Sequence, residues 1–173
     1  GVKTNIFSSQ HKNAKRNWLI VRIQTDEGLE GIGEASMLSH DPMVQNLIQQ
    51  WSESYLIGKD PLSGQVHWTR LHQDNSGRGG RLFSTALSGI DIALWDLRGK
   101  ILDTPVYKLL GGPYKEKIRV YANGWYTNPG SPEMNAKEAK KVISMGYSAL
   151  KFDPFGREAH VTISNEEAQL AED

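Results

Sequence analysis

Lys151 and Asp153 stand two residues apart in the stretch SALKFDPFG, positions 148–156. Alternation along an extended strand sends residues i and i+2 to the same face. An ammonium and a carboxylate are therefore expected side by side where this short apolar run ends, just before Pro154 and Gly156 turn the chain. Such a pair suits proton transfer, because a carboxylate beside a lysine keeps the lysine charged, or orients a substrate hydroxyl. It also suits a plain structural ion pair, or a turn in which Asp153 precedes proline. A second set of candidates ends the run KIRVYANGWY, positions 117–126, where Asn123, Trp125 and Tyr126 offer an amide and two aromatic rings. Rings at such a place wall a pocket or pack into a core.

Basic residues form a third set. His11, Lys12 and Arg16 lie in the polar segment 8–17, and Arg78 and Arg81 lie in the glycine-rich stretch DNSGRGGR, positions 74–81. The guanidinium fork binds both oxygens of a carboxylate, although a basic surface loop is ordinarily just solvated. Other signals carry less. Gly31 and Gly33, followed by Ser36, form a fragment of a dinucleotide fingerprint without its third glycine. The segment 77–80 lacks the Gly-Lys-Ser/Thr ending of a phosphate loop. Asp91 and Asp96 interrupt an apolar helical run. Buried carboxylates need partners, and the role expected of these two is to fix helices rather than to catalyse. His40, His67, His72 and His160 have no ligand spacing.

Composition narrows the classes. The 173 residues carry a formal net charge of +0, 38% hydrophobic residues, 17 glycines and no cysteine. Neutral charge gives no general reason to bind nucleic acid or an acidic surface. Without cysteine there is no disulfide scaffold and no thiolate zinc site, which fits a cytoplasmic setting. No apolar run approaches the roughly 18 residues of a membrane span. A first residue Gly1 in place of Met points to trimming.

The elements that must position these residues are legible in outline. WLIVRIQTDEGLEGIGEA, positions 18–35, reads as a hairpin turning at Asp26-Glu27-Gly28. Ile6-Phe7 begins an earlier strand, joined to the hairpin by the segment 8–17, a length at which loops are functional or disordered. Asp41-Pro42 caps a helix whose Val44, Leu47, Ile48, Trp51 and Tyr55 share one face, and Gly58 stops it. Asp60-Pro61 starts a second helix through Trp68 and Leu71. A third spans 83–102, with Ala86, Leu87, Ile90, Ala93, Leu94, Leu97 and Ile101 on a broad apolar face. Gly111-Gly112-Pro113 breaks the chain and marks a domain boundary.

Beyond it the rhythm changes. The strand 117–126 is followed by a helix opened by Ser131-Pro132-Glu133, carrying Ala136, Ala139, Val142 and Ile143 and closed by Gly146. The strand SALKF follows, and Ser164 with Glu167 forms a capping box for a further helix. Strand alternating with helix predicts a parallel sheet, and two strands with open edges do not make one. A (β/α)₈ barrel takes roughly 250 residues, about 31 per unit. Only 56 residues follow Lys117, so the chain reads as cut short inside a helix.

ALSGIDIALWDLRGK (86–100) followed by TPVYKLLGG (104–112) resembles the mandelate racemase/muconate lactonizing enzyme branch of the enolase superfamily, as do TDEGLEGIGEAS and RVYANGWY. Within that branch, YANGWY together with GYSALKFDPFG is most similar to the sugar-acid dehydratases. The resemblance implies an α+β capping domain over residues 1–113, a three-stranded antiparallel sheet plus a helical bundle. It implies over 114–173 the first two β/α units of a (β/α)₇β TIM-like barrel, left incomplete. It also implies a Mg²⁺ held by carboxylates on the third, fourth and fifth barrel strands, so no metal ligand is expected in this chain. The family's second barrel strand often carries Lys-x-Lys, whose second lysine removes the proton α to a carboxylate. Asp153 stands at that position, a departure that argues against a two-base racemase. The family places its early capping loops over the barrel mouth, which makes His11, Arg16, Arg78 and Arg81 expected contacts of a polyhydroxy acid, beside Asn123, Trp125 and Tyr126.

The implied function is that of the N-terminal part of a Mg-dependent enzyme dehydrating a sugar acid to a 2-keto-3-deoxy acid. The enzyme would be cytoplasmic and homo-oligomeric, and this chain alone inactive. A racemase or cycloisomerase of the same branch is the nearest alternative. A non-catalytic binding or oligomerisation module is the alternative from another class.

Overall fold

Alternating apolar residues build the first layer. In the computed structural model, which describes residues 1–11, 14–74, 80–126 and 131–153, β1 (Val2–His11), β2 (Ala14–Gln24) and β3 (Glu30–Glu34) form one antiparallel sheet in the order β1-β2-β3. Leu19, Val21 and Ile23 of β2 are buried, whereas Trp18 between them and the tip is 41% exposed. The turn between β2 and β3 falls where the sequence places it, with the Leu29 N–H donating to Thr25 Oγ1 at 3.1 Å.

The segment 8–17 is not the long loop that its polarity suggests. Ser8 pairs with Asn17, Ser9 with Arg16, Gln10 with Lys15 and His11 with Ala14, so β1 and β2 continue almost to Lys12 and Asn13, which lie outside the described residues. The reason is that a ladder needs only backbone groups. Apolar alternation marks a strand only where a core lies beneath it, and here Ser8 Oγ instead donates to Asn17 Oδ1 at 2.8 Å.

Three helices follow, of which the first and third pack on the sheet and the second packs on the third. α1 (Asp41–Trp51) begins one residue earlier than expected: His40 is the N-cap, and Asp41, the expected cap, is the first helical residue. The fully buried Asp41 carboxylate accepts the Met37 N–H at 2.7 Å, closing the 3₁₀ turn Leu38–His40 at the positive end of the helix dipole. Val44, Ile48 and Trp51 are buried, and Leu47 and Tyr55 pack against them. The helix then widens into a π turn, Ser52–Leu56. α2 (Gly64–Asp74) starts later than Asp60-Pro61 suggests, because the Asp60 side chain holds a turn of its own, accepting from Leu62 N at 2.9 Å and Ser63 Oγ at 3.1 Å. His67 is buried with Nε2 2.8 Å from the Asp60 carbonyl oxygen, so it donates there and ties α2 to that turn.

α3 (Arg81–Ile101) lies on the sheet with Ala86, Gly89, Ile90, Ala93, Leu94 and Leu97 buried. Its close approach explains the glycine spacing of β3. A Cβ at Gly33 would overlap the Gly89 carbonyl, one at Gly31 the Ala93 carbonyl, and one at Gly89 would come within 2.5 Å of Ala35 Cβ. These glycines let helix backbone meet strand backbone, which accounts for the dinucleotide-like fragment without any nucleotide. Asp96 has the fixing role expected of it: it accepts from the Ile32 N–H of the edge strand and from Lys100 Nζ, both at 2.8 Å. A short α4 (Val106–Leu109) follows.

The chain divides into two compact units at Tyr114/Lys115. In the second, Ala122 and Leu150 form a parallel bridge, and α5 (Pro132–Ser144) makes the crossover between them. Ser131 caps α5, accepting from Met134 N at 3.3 Å and donating to Glu133 at 2.6 Å. Backbone pairing of the strands expected over 117–126 and 148–152 is confined, among the described residues, to this bridge and its two hydrogen bonds, and the Arg119 guanidinium also donates to the Ser148 carbonyl at 3.2 Å. Ile118 is 80% and Val120 62% exposed, and parallel strands are ordinarily covered on both faces. Of the apolar face expected on α5, Val142 is buried while Ile143 and Ala136 are exposed. The helix expected from Ser164 and Glu167 lies outside the described residues.

Candidate active site

The two strand ends of the second unit bring Trp125 and Tyr126 against Phe152 and the Lys151 backbone. The Ala122 N–H donates to the Ala149 carbonyl at 2.9 Å, and the Lys151 N–H donates to the Ala122 carbonyl at 2.8 Å. At Gly124 the backbone takes φ +67°, a left-handed conformation open to glycine, and the chain turns. Trp125 then reaches back, its Nε1–H donating to the Lys151 carbonyl at 2.8 Å. Trp125, Tyr126 and Phe152 form a three-ring cluster, with centroids 5.3 Å apart for Trp125–Tyr126, 5.5 Å for Trp125–Phe152 and 5.0 Å for Tyr126–Phe152. Such offset and edge-on rings attract one another beyond simple burial.

Trp125 and Tyr126 are half-buried, as is Asp153, whereas Asn123 and Lys151 are exposed. Ion pairs among the described residues join Arg22 to Glu30, Lys100 to Asp96 and Lys141 to Glu138, so Lys151 and Asp153 are not bridged to each other. Phe152 is the residue that reading the sequence for charge passed over. Its signal was there: an aromatic between the two charged positions is set by alternation on the side away from them.

The remaining candidates belong to the first unit. Arg81 opens α3 and is exposed; Arg78 lies outside the described residues. His11 and Arg16 occupy ladder positions opposite Ala14 and Ser9. Upstream of Arg78, a hydrogen bond to Asp74 holds the Tyr55 phenol above its ordinary pKa. Burial raises the Asp91 carboxyl, with the Arg98 charge opposing the shift. The Arg98 guanidinium lies 4.3 Å from the Trp95 ring centroid and fills the space a side chain at Gly64 would need. A cavity of about 440 Å³ in this unit is lined by Thr25, Lys59, Asp60 and His67 among others, and by none of the candidates named above. Among the described residues no group of three or more His, Asp or Glu is placed to hold a metal ion, and no helix is long and apolar enough to cross a membrane.

Residues 3–111 match the family model described as mandelate racemase / muconate lactonizing enzyme, N-terminal domain. The chain is 40% identical over 158 residues to the D-gluconate dehydratase of Thermoproteus tenax, a match covering 90% of this chain and 31% of that protein. It is 38% identical over 148 residues to the D-xylonate dehydratase of Haloferax volcanii, covering 82% of this chain and 35% of that one. Its structure is similar to that of a member of the enolase superfamily from Salmonella Typhimurium, with a TM-score of 0.77 and 34% identity over 89% of this chain and 41% of that chain. The chain spans about a third of the length of the curated relatives it matches.

Proposed function

Because the chain belongs to the mandelate racemase/muconate lactonizing enzyme family of the enolase superfamily, we propose that it is the N-terminal part of an enzyme that dehydrates a sugar acid. The observation that carries this reading is the 40% identity to a D-gluconate dehydratase across 90% of the chain. In the proposed reaction a proton leaves the carbon α to the carboxylate, the β-hydroxyl departs as water, and the resulting enol tautomerises to a 2-keto-3-deoxy acid.

Membership of the superfamily implies a divalent metal, which we take to be Mg²⁺; such an ion stabilises negative charge developing on a carboxylate. The described residues offer it no ligand set, and its ligands are assigned to a part of the enzyme beyond these residues. The roles assigned to this chain are those of its own side chains. Lys151 and Asp153 are the proton-transfer pair facing the α and β carbons, with Asp153 orienting Lys151. Asn123, Trp125 and Tyr126 contact the substrate, and Arg78, Arg81, His11 and Arg16 supply charge that favours an acid. A cytoplasmic setting and a homo-oligomeric state complete the proposal.

The test is direct. The complete protein containing this chain, supplied with Mg²⁺ and a panel of five- and six-carbon sugar acids that includes D-gluconate and D-xylonate, should release a 2-keto-3-deoxy acid. No keto acid from any of them would contradict the reading.

A further inference from the structure

Two strand ends can stay in register only as far as their hydrogen bonds reach. In a parallel ladder the residue after next continues the pairing. Among the described residues the last backbone rung shown is the Lys151 N–H on the Ala122 carbonyl. One step further, the acceptor awaiting a partner on the second strand is the Lys151 carbonyl, and the first strand has by then turned at Gly124. The indole N–H of Trp125 fills that place at 2.8 Å. Lys151 is thus held through both its N–H and its C=O. The same indole packs against Phe152 and Tyr126, and Tyr126 in turn packs edge-on against Phe152. The residue between Lys151 and Asp153 is clamped by two rings from the other strand.

We propose that Trp125 is a positioning residue: its indole N–H acts as a side-chain rung that extends the parallel ladder and fixes where Lys151 and Asp153 present their charges. The proposal rests on the reading of Lys151 as a proton-transfer group. This role is additional to the contact proposed between the Trp125 ring and substrate, because the polar end of the indole is spent on the protein backbone. Proton transfer is sensitive to placement, and a shift of about 1 Å can lower a rate by about 10²-fold.

Trp125→Phe in the complete enzyme keeps a ring against Tyr126 and Phe152 and removes the N–H. Should that variant fold poorly, the benzothiophene analogue of tryptophan at position 125 keeps the bicyclic shape and still lacks the N–H. The expected result is a fall in kcat of about tenfold or more with KM little changed. The primary deuterium isotope effect on C2-deuterated substrate should also rise, because proton transfer becomes more rate-limiting. Crystal structures should show the Lys151 backbone displaced by more than about 0.5 Å, the tolerance of a working site. A displaced loop is expected whether or not the assayed acid is the right substrate, so the structural arm stands apart from the functional reading.

A Lys151 backbone that stays in place would overturn the proposal. So would a kcat within about twofold of an active parent, or activity lost only in proportion to folded protein with an unchanged isotope effect. Lys151→Met separates the two layers. An active Lys151→Met enzyme overturns both the reading of Lys151 and this proposal, whereas an inactive one beside an unaffected Trp125→Phe enzyme overturns the proposal alone.

Discussion

In the proposed reaction Asp153 is the residue to test first, since by resemblance it stands where a second lysine is expected. Two charges close together in a barrel interior lose hydration, and outside a functional site that loss brings little stability in return. The pair is not bridged in the structure, so any coupling between Lys151 and Asp153 would act through substrate or through a closer approach in the complete enzyme. Asp153→Asn should lower kcat/KM by about 10²-fold or more, the scale of a positioned proton-transfer group, with an unchanged circular dichroism spectrum; a value within about twofold of the parent would make the residue structural.

Asp91 behaves differently. Burial raises its carboxyl and Arg98 only partly offsets this. A raised carboxyl pKa means the folded chain holds the proton more tightly than the unfolded chain does. That contribution favours the fold below the unfolded pKa and is lost as pH rises through the folded pKa. Asp91→Asn stays neutral throughout, so its Tm should gain on the parent's as pH rises from below the ordinary carboxylate range towards neutrality. A Tm difference that does not grow with pH would contradict this. At this scale the sequence offers Lys151 and Asp153 as candidates, because i, i+2 spacing is local. It did not show Phe152 as the hub of the ring cluster or the Trp125–Lys151 hydrogen bond, which depend on a contact across 26 residues.

Elements were legible where a core lies beneath them. The β2–β3 hairpin, the apolar faces of α1 and α3 and the Ser131 cap of α5 follow from periodicity and capping chemistry. The segment 8–17 reads as a loop in the sequence because its strands pair through backbone while their side chains are polar. The start of α2 was misplaced because Asp60 and Pro61 form a turn before the helix rather than its first residues. The spacing of Gly31 and Gly33 has a reason only in three dimensions, where α3 presses on β3. Gly33→Ala would drive a methyl into the Gly89 carbonyl, and overpacking of this kind costs about 1–3 kcal/mol. Chemical denaturation should show a lower midpoint for that variant with a similar m-value. A midpoint equal to the parent's would mean that α3 does not lie as close to β3 as described.

At the scale of the whole molecule, the first unit carries the family match over residues 3–111. The second carries a crossover helix, a parallel bridge and the two strand ends with their candidate acid–base residues. The order of strand and helix was enough to predict parallel pairing, since a helical crossover is the usual way to bring two strands into parallel. The extent of that pairing was not predictable, because parallel strands take their order from neighbours on either side. The central claim is that the enzyme built on this chain removes an α proton and then expels the β-hydroxyl. The most direct measurement is proton NMR of D-gluconate or D-xylonate turned over by the complete, Mg²⁺-supplied enzyme in D₂O. The expected product is a 2-keto-3-deoxy acid carrying one solvent deuterium at C3, where the enol is reprotonated. Deuterium appearing at C2 of recovered sugar acid, with no keto acid formed, would contradict it and point to racemisation instead.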